Sequence, residues 1–355
     1  MALVLTNGDY REGIHARMKP DLTVNYMGLA LANPIIASSS PLTGKLESLV
    51  ELQDSGVAAV VLPSLFEEQV EHVEIELANL YDYQSESHAE SSGYFAEMDS
   101  YNTGPTRYLE LIRTAKRTLT IPVIASLNGS TRGGWIRYAQ SIEQAGADAI
   151  ELNIYSIPCE LDINAVDLET EYCKLVEDLR SRIGIPIAVK IGSCFTSIPS
   201  FVESLVDSGA DALVLFNRYL APDIDFETLS FKPALELSQP SELRQTLRWI
   251  AILCDQISAS IAATGGVHSA EDAIKALLVG ADVTMMASAL LQRGPTLIRE
   301  VLTNMEHWLI EKEYNSVRQL QGSMSWNRCS NPDDLLRANY LRSLTSYTHI
   351  KRNGK

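Results

Sequence analysis

The chain has 355 residues, of which 46% are hydrophobic, and a formal net charge of −16. That length and apolar share can bury a large core, whereas no run nears the roughly 18 apolar residues of a membrane helix, and the start MALVLTNGDYREG lacks the basic, apolar and small-residue order of a signal peptide. The acidity excludes a nucleic-acid partner, which needs a basic face to neutralise phosphates; no membrane association is expected, and the expected location is cytoplasmic.

From residue 33 onward, short β-branched runs alternate with amphipathic helical stretches, the pattern of parallel strands joined by helical crossovers. In chain order the predicted strands are 33–39 (NPIIASS), 58–65 (AAVVLPSL), 122–128 (PVIASLN), 149–154 (AIELNI), 186–192 (PIAVKIG), 212–217 (ALVLFN), 260–266 (SIAATGG) and 283–289 (VTMMASA). Four are announced alike, in DSGVAAVV, QAGADAIEL, DSGADALVL and VGADVTMM, where a glycine past a helix end returns the chain to the sheet. Eight such βα units predict an α/β fold of the (β/α)8 TIM-barrel type rather than an open doubly wound sheet.

Two connections exceed ordinary loop length, 66–104 after the second strand and 218–240 after the sixth. Both fall on the C-terminal face, where barrels of this kind keep their chemistry, so each is expected as a substrate lid, the alternatives being an oligomer contact or mere decoration. No linker divides the chain. One domain is expected over 1–355, with an N-terminal extension at 1–20 and a helical tail at 313–355 whose amphipathic segment WNRCSNPDDLLRANYLRSL suits a homodimer contact.

The strand ends carry the chemistry. Asn128, Asn153 and Asn217 close the third, fourth and sixth strands with amides that either form turns or contact a ligand's donors and acceptors. Lys190 ends the fifth strand, and a lysine there needs an anion: either a structural carboxylate such as Glu151 or a ligand. Thr264, Gly265 and Gly266 end the seventh strand, and Ala287 and Ser288 the eighth, at the usual phosphate site of this fold. Such a cradle suits a sugar phosphate as well as a flavin. The five cysteines (Cys159, Cys173, Cys194, Cys254, Cys329) form no CxxC pair, so no disulfide framework, zinc site or iron–sulfur site is signalled, and they are expected as free thiols mostly in the core.

From about residue 21 to 322 these residues resemble the dihydroorotate dehydrogenases, above all the soluble class. DLTVNYMGLALANPIIASSSPLTGKLESLVELQDSG is similar to that family's N-terminal hairpin and first strand, IELNIYSIPC occupies the place of its substrate loop, and TGGV and MASALL are similar to its phosphate grip. The resemblance implies FMN as cofactor, with Ser38, Ser39 and Ser40 facing the flavin beside the strand-end residues named above. It also implies oxidation of dihydroorotate or a related pyrimidine by hydride transfer to flavin N5, with Ser156 as the base, and leaves room for an electron-transfer partner subunit.

Three positions depart from the family pattern. Leu62 and Pro63 stand where a lysine is expected, Ile157-Pro158 displaces an asparagine of the substrate loop, and ALELSQP replaces a glycine pair. These departures keep two other readings open: a non-catalytic FMN- or phosphate-binding barrel within a larger complex, and a sugar-phosphate isomerase or aldolase using Lys190 as a Schiff-base former.

Overall fold

The computed structural model describes residues 19–70, 104–129 and 131–352. A short antiparallel hairpin opens it, β1 (Val24–Tyr26) against β2 (Leu29–Leu31). There follow β3 (Ile35–Ala37), β4 (Ala59–Phe66), β5 (Val123–Asn128), β6 (Ala149–Asn153), β7 (Ile187–Ile191) and β8 (Ala212–Leu215). A second hairpin, β9 (Asp223–Asp225) with β10 (Ser230–Lys232), interrupts the series before β11 (Ser260–Thr264) and β12 (Val283–Met286). The eight strands β3 to β8, β11 and β12 pair in parallel and close into a barrel, β12 returning to β3. All eight predicted strands are therefore present, as a (β/α)8 barrel.

Helices α1 (Leu46–Asp54), α2 (Gly104–Thr118), α3 (Tyr138–Ala145), α4 (Ala165–Arg180), α5 (Ile198–Asp207), α6 (Leu243–Leu253) and α7 (Ala270–Val279) alternate with the strands. The last strand is followed by α8 (Ser288–Arg293) and α9 (Leu297–Glu311), and the tail holds α10 (Val317–Leu320) and α11 (Ala338–Arg352). The sequence sets these limits locally. In α7 the Ser269 hydroxyl accepts from the Asp272 amide at 3.2 Å, acidic Glu271 and Asp272 fill the first turn, and Gly280 ends the helix at φ 113°. No helix among the described residues is long and apolar enough to cross a membrane.

The base of the barrel is stitched strand to strand by one device used repeatedly. Asp148, just before β6, accepts the Val123 amide that starts β5 (2.7 Å); Asp211, before β8, accepts the Ile187 amide of β7 (2.8 Å); Asp282, before β12, accepts the Ile261 amide of β11 (2.7 Å). Between β3 and β4 Asn33 substitutes, accepting the Ile35 amide of β3 and donating to the Gly56 carbonyl ahead of β4. Each of the four links lies in one of the Gly-containing segments singled out in the sequence or faces it. Asp148 is further paired with Lys116 and Asp211 with Arg180, both at 2.7 Å, whereas Asp282 has no cation beside it among the described residues. The β1–β2 turn covers this end, its Met27 amide donating to Ser260 Oγ at the start of β11 (3.0 Å).

Two expectations are revised or left aside. None of the five thiols is fully buried: Cys159 and Cys194 are exposed and the other three half-buried, Cys173 and Cys254 packing against the edge of the core, because all five sit on loops and helices rather than on the strands at its centre. Of the predicted connection 66–104, residues 71–103 lie outside the described residues, as do residues 1–18 of the predicted N-terminal extension and 353–355 of the tail.

Candidate active site

The strand register brings the chemistry-bearing residues to one level at the C-terminal mouth. Asn128 of β5 pairs with Asn153 of β6, Asn153 with Lys190 of β7, and Lys190 with Val214 of β8. Because side chains on a strand repeat their direction every second residue, the level beneath holds Ser126 and Glu151, which are paired with each other.

A cleft opens beside this row. Ser38 and Ser39 from the end of β3, Lys190, Asn217, Thr264, Gly265, Gly266, Ala287 and Ser288 all line it. Of the residues singled out in the sequence, Asn128, Asn153 and Ser156 are not on its wall. Asn153 is linked to it indirectly, accepting a hydrogen bond from Asn217 Nδ2 at 2.8 Å. Ser40 is occupied elsewhere: its amide donates to Thr43 Oγ1 and its carbonyl accepts from Thr43, forming the turn that leads into α1.

Gly265 and Gly266 both have φ near +80°, which ends β11 two residues short of the predicted strand limit. Around Gly265 an added Cβ would meet no atom of the described residues within 4 Å, so among them its backbone borders open space. At Gly266 a Cβ would lie 2.7 Å from the Leu243 nitrogen and 2.9 Å from the Gln239 carbonyl oxygen, so only glycine lets the loop before α6 approach this turn.

That loop supplies a residue the sequence reading passed over. Ser238, in the ALELSQP stretch noted only for lacking a glycine pair, is buried and lines the cleft. Its amide donates to Ser288 Oγ at 3.0 Å, its hydroxyl accepts the Gly266 amide at 3.3 Å, and the same hydroxyl lies 3.3 Å from His268 Nε2. The Gly266 amide is thus engaged within the protein. Phe216, Arg218 and Met285 also line the cleft without having been singled out in the sequence, as does Val267, the last residue of the TGGV motif. Arg218 grips Glu242 with Nε at 3.0 Å and a terminal nitrogen at 3.3 Å, tying the loop after β8 to the start of α6.

Lys190 also meets the structural partner that its position suggested. Its Nζ stands 3.7 Å from Glu151 Oε1, and Glu151 is only 1% exposed. Burial holds the Glu151 carboxyl above the usual carboxylate range, and the Lys190 charge pulls it back down.

Ser156 lies in the half-exposed segment after β6, near the Tyr172 phenol, whose pKa burial pushes up while the nearby serine lowers it. Tyr155 beside it packs on Tyr219 from the loop after β8, ring centroids 5.3 Å apart. The departures from the family pattern are equally plain in space. Leu62 and Pro63 are buried in β4, where the ladder to β5 shifts register, and Ile157 is 62% exposed.

Fold and cleft together define a parallel (β/α)8 barrel whose C-terminal mouth is lined with hydroxyls, glycines and a half-buried ammonium. A family model described as dihydroorotate dehydrogenase matches residues 87–309, more than half of the chain. The chain belongs to the dihydroorotate dehydrogenase family, oxidoreductases that act on a CH–CH bond. Its relatives include the catalytic subunit of dihydroorotate dehydrogenase B (NAD(+)) from Thermoplasma acidophilum, 24% identical over 314 residues, covering 85% of this chain and 98% of the relative. The catalytic subunits bearing the same name from Endomicrobium trichonymphae (25% over 316 residues, 87% and 98%) and Methanosarcina acetivorans (26% over 309 residues, 84% and 94%) are similar to it over nearly the same span.

Proposed function

We propose that the cleft holds FMN and that the chain oxidises dihydroorotate or a related cyclic pyrimidine, the reaction class named for its relatives. The observation that carries this reading is that Gly265, Ser288 and Lys190, from three different strands, line one cleft. The donor set fits a phosphorylated anionic ligand: glycine backbone bordering open space and the Ser38, Ser39, Thr264, Ser238 and Ser288 hydroxyls at one side, and an ammonium at the other.

In this reading the phosphate end belongs to Gly265, Ser288, Ala287 and Thr264, with Gly266 shaping the turn and Ser238 joining it to Ser288. Lys190 would hold the ring's pyrimidine edge, where a cation stabilises the negative charge of the reduced state, and Asn128, Asn153 and Asn217 would supply amides toward that edge. The flavin, when bound, supplies the hydride acceptor. Ser156 is the base for the neighbouring proton, and Tyr172, whose phenol stays protonated across the neutral range, orients the serine hydroxyl without storing its proton. The proton leaves through water along the exposed Ile157–Cys159 stretch.

A second reading has its own support: a barrel that keeps FMN but has lost the reaction. Leu62, Pro63 and Ile157 offer no polar contact where the family pattern has a lysine and an asparagine. One experiment separates the two. Purified protein showing flavin absorbance that bleaches on anaerobic addition of dihydroorotate supports catalysis. Retained flavin without bleaching, with a stable partner in a pull-down, supports a subunit role, and no flavin at all removes both. We also infer a homodimer and an electron-transfer partner subunit, which light scattering and co-purification test.

A further inference from the structure

Glu151 is spare in the mechanism above, yet its placement is unusual. It lies inside the barrel one level beneath Lys190, almost fully buried, and neither carboxylate oxygen accepts a hydrogen bond from any described residue. Lys190, at 3.7 Å and 12% exposed, is its only cation among the described residues. Among the described residues the other groups turned toward it are uncharged: the Tyr26 phenol from β1, also buried without a hydrogen-bond partner there, and the Tyr108 phenol of α2, which is bound to the Ser126 backbone. Ser126 Oγ, across from Glu151 on β5, is taken by Ser64 Oγ at 2.8 Å.

A buried carboxylate without donors retains its charge only through a neighbouring cation. That cation also faces the cleft, so one ammonium stands between two claims, the carboxylate below and whatever anion occupies the cleft above. We propose that Glu151 is a positioning residue that acts on the bound flavin through Lys190, dividing the lysine's charge between itself and the ring. The inference rests on the FMN reading given above. Oxidised flavin is neutral at the ring and leaves Lys190 to Glu151; the reduced ring is anionic and competes for it. The carboxylate therefore holds the reduction potential below the value that Lys190 alone would set.

The test is the two-electron midpoint potential of the FMN-loaded protein in wild type, E151Q, K190M and the double variant E151Q/K190M, with cofactor in excess. Glutamine keeps the shape and removes the charge. We expect E151Q to bind reduced FMN about tenfold more tightly relative to oxidised FMN, a rise of about 30 mV. In the K190M background the same substitution shifts nothing, because a buried carboxyl without its cation is neutral. An unchanged or lowered potential in E151Q, or an equal shift with and without Lys190, overturns the proposal. Should E151Q fail to fold, infrared spectroscopy of K190M decides: a protonated carboxyl band at neutral pH, absent from wild type, is expected, and its absence from K190M or its presence in wild type overturns the pairing. Wild-type protein that takes up no FMN defeats the cofactor reading itself, whereas uptake without the E151Q shift defeats only this inference.

Discussion

Asn217 Nδ2 donates to Asn153 Oδ1 at 2.8 Å, linking β8 to β6, the two strands that flank the Lys190-bearing β7. Asn153 is buried, so its oxygen has little access to water as a substitute donor. N217A is expected to lower stability by about 1–3 kcal/mol, the cost of leaving a buried acceptor unmade, seen as an earlier urea midpoint with an unchanged slope. If the midpoint stays in place, the amide bridge contributes nothing to the fold.

The neighbouring glycines separate folding from binding. G266A drives a Cβ into backbone atoms of Leu243 and Gln239 at positive φ, and a loss of about 3 kcal/mol or more is expected. G265A meets no atom of the described residues, so the left-handed backbone cost of about 1–2 kcal/mol is what applies. It nonetheless fills space at the cleft, and FMN affinity should fall by more than stability suggests. Thermal unfolding of both apo-proteins and a flavin fluorescence titration of G265A check this. Equal destabilisation by the two substitutions would contradict it.

Asp282 makes the fold's pH dependence legible. Burial raises its carboxyl from 3.8 to about 6, against the opposing Ile261 amide, and no cation among the described residues compensates as Lys116 and Arg180 do for Asp148 and Asp211. The folded state therefore binds this proton more tightly than the unfolded chain. Stability from this group is present below about pH 4 and is lost as the pH rises through about 6. D282N keeps an oxygen for the Ile261 amide and removes the charge. It should stabilise the protein by on the order of 2 kcal/mol at pH 7.5 and by nothing at pH 3.5, as measured by denaturant unfolding at the two pH values.

In the proposed reading Ser156 divides binding from chemistry. S156A should take up FMN as the wild type does, while flavin reduction by the reactive pyrimidine slows by about 100-fold, the lower range for loss of a general base. Anaerobic stopped-flow absorbance measures both. Reduction at the wild-type rate would move the base to another residue.

The barrel was visible in the sequence because each strand is a short apolar run closed by a chemically distinct end, and the Lys190–Glu151 contact was anticipated as one of two roles for the lysine. What escaped notice came from loops. Ser238 lies in an irregular segment with no periodicity, and its place in the cleft depends on how the Gln239–Leu243 turn rests on Gly266. Hairpin β9–β10 lies inside what read as one long connection, since its three-residue strands, mostly exposed, show no alternation. The thiols were misjudged because cysteine type alone says nothing of which face of an element it occupies.

The side-chain links at the start of the strands have a bearing on the altered mouth. Asp148, Asp211, Asp282 and Asn33 secure the barrel from the end opposite the cleft, and none of them shares a bond with Pro63, Ile157 or the Ser238 loop. The exposed Ile157 can therefore change without touching any of these four links, whereas Pro63, buried in β4, changes only at the expense of core packing.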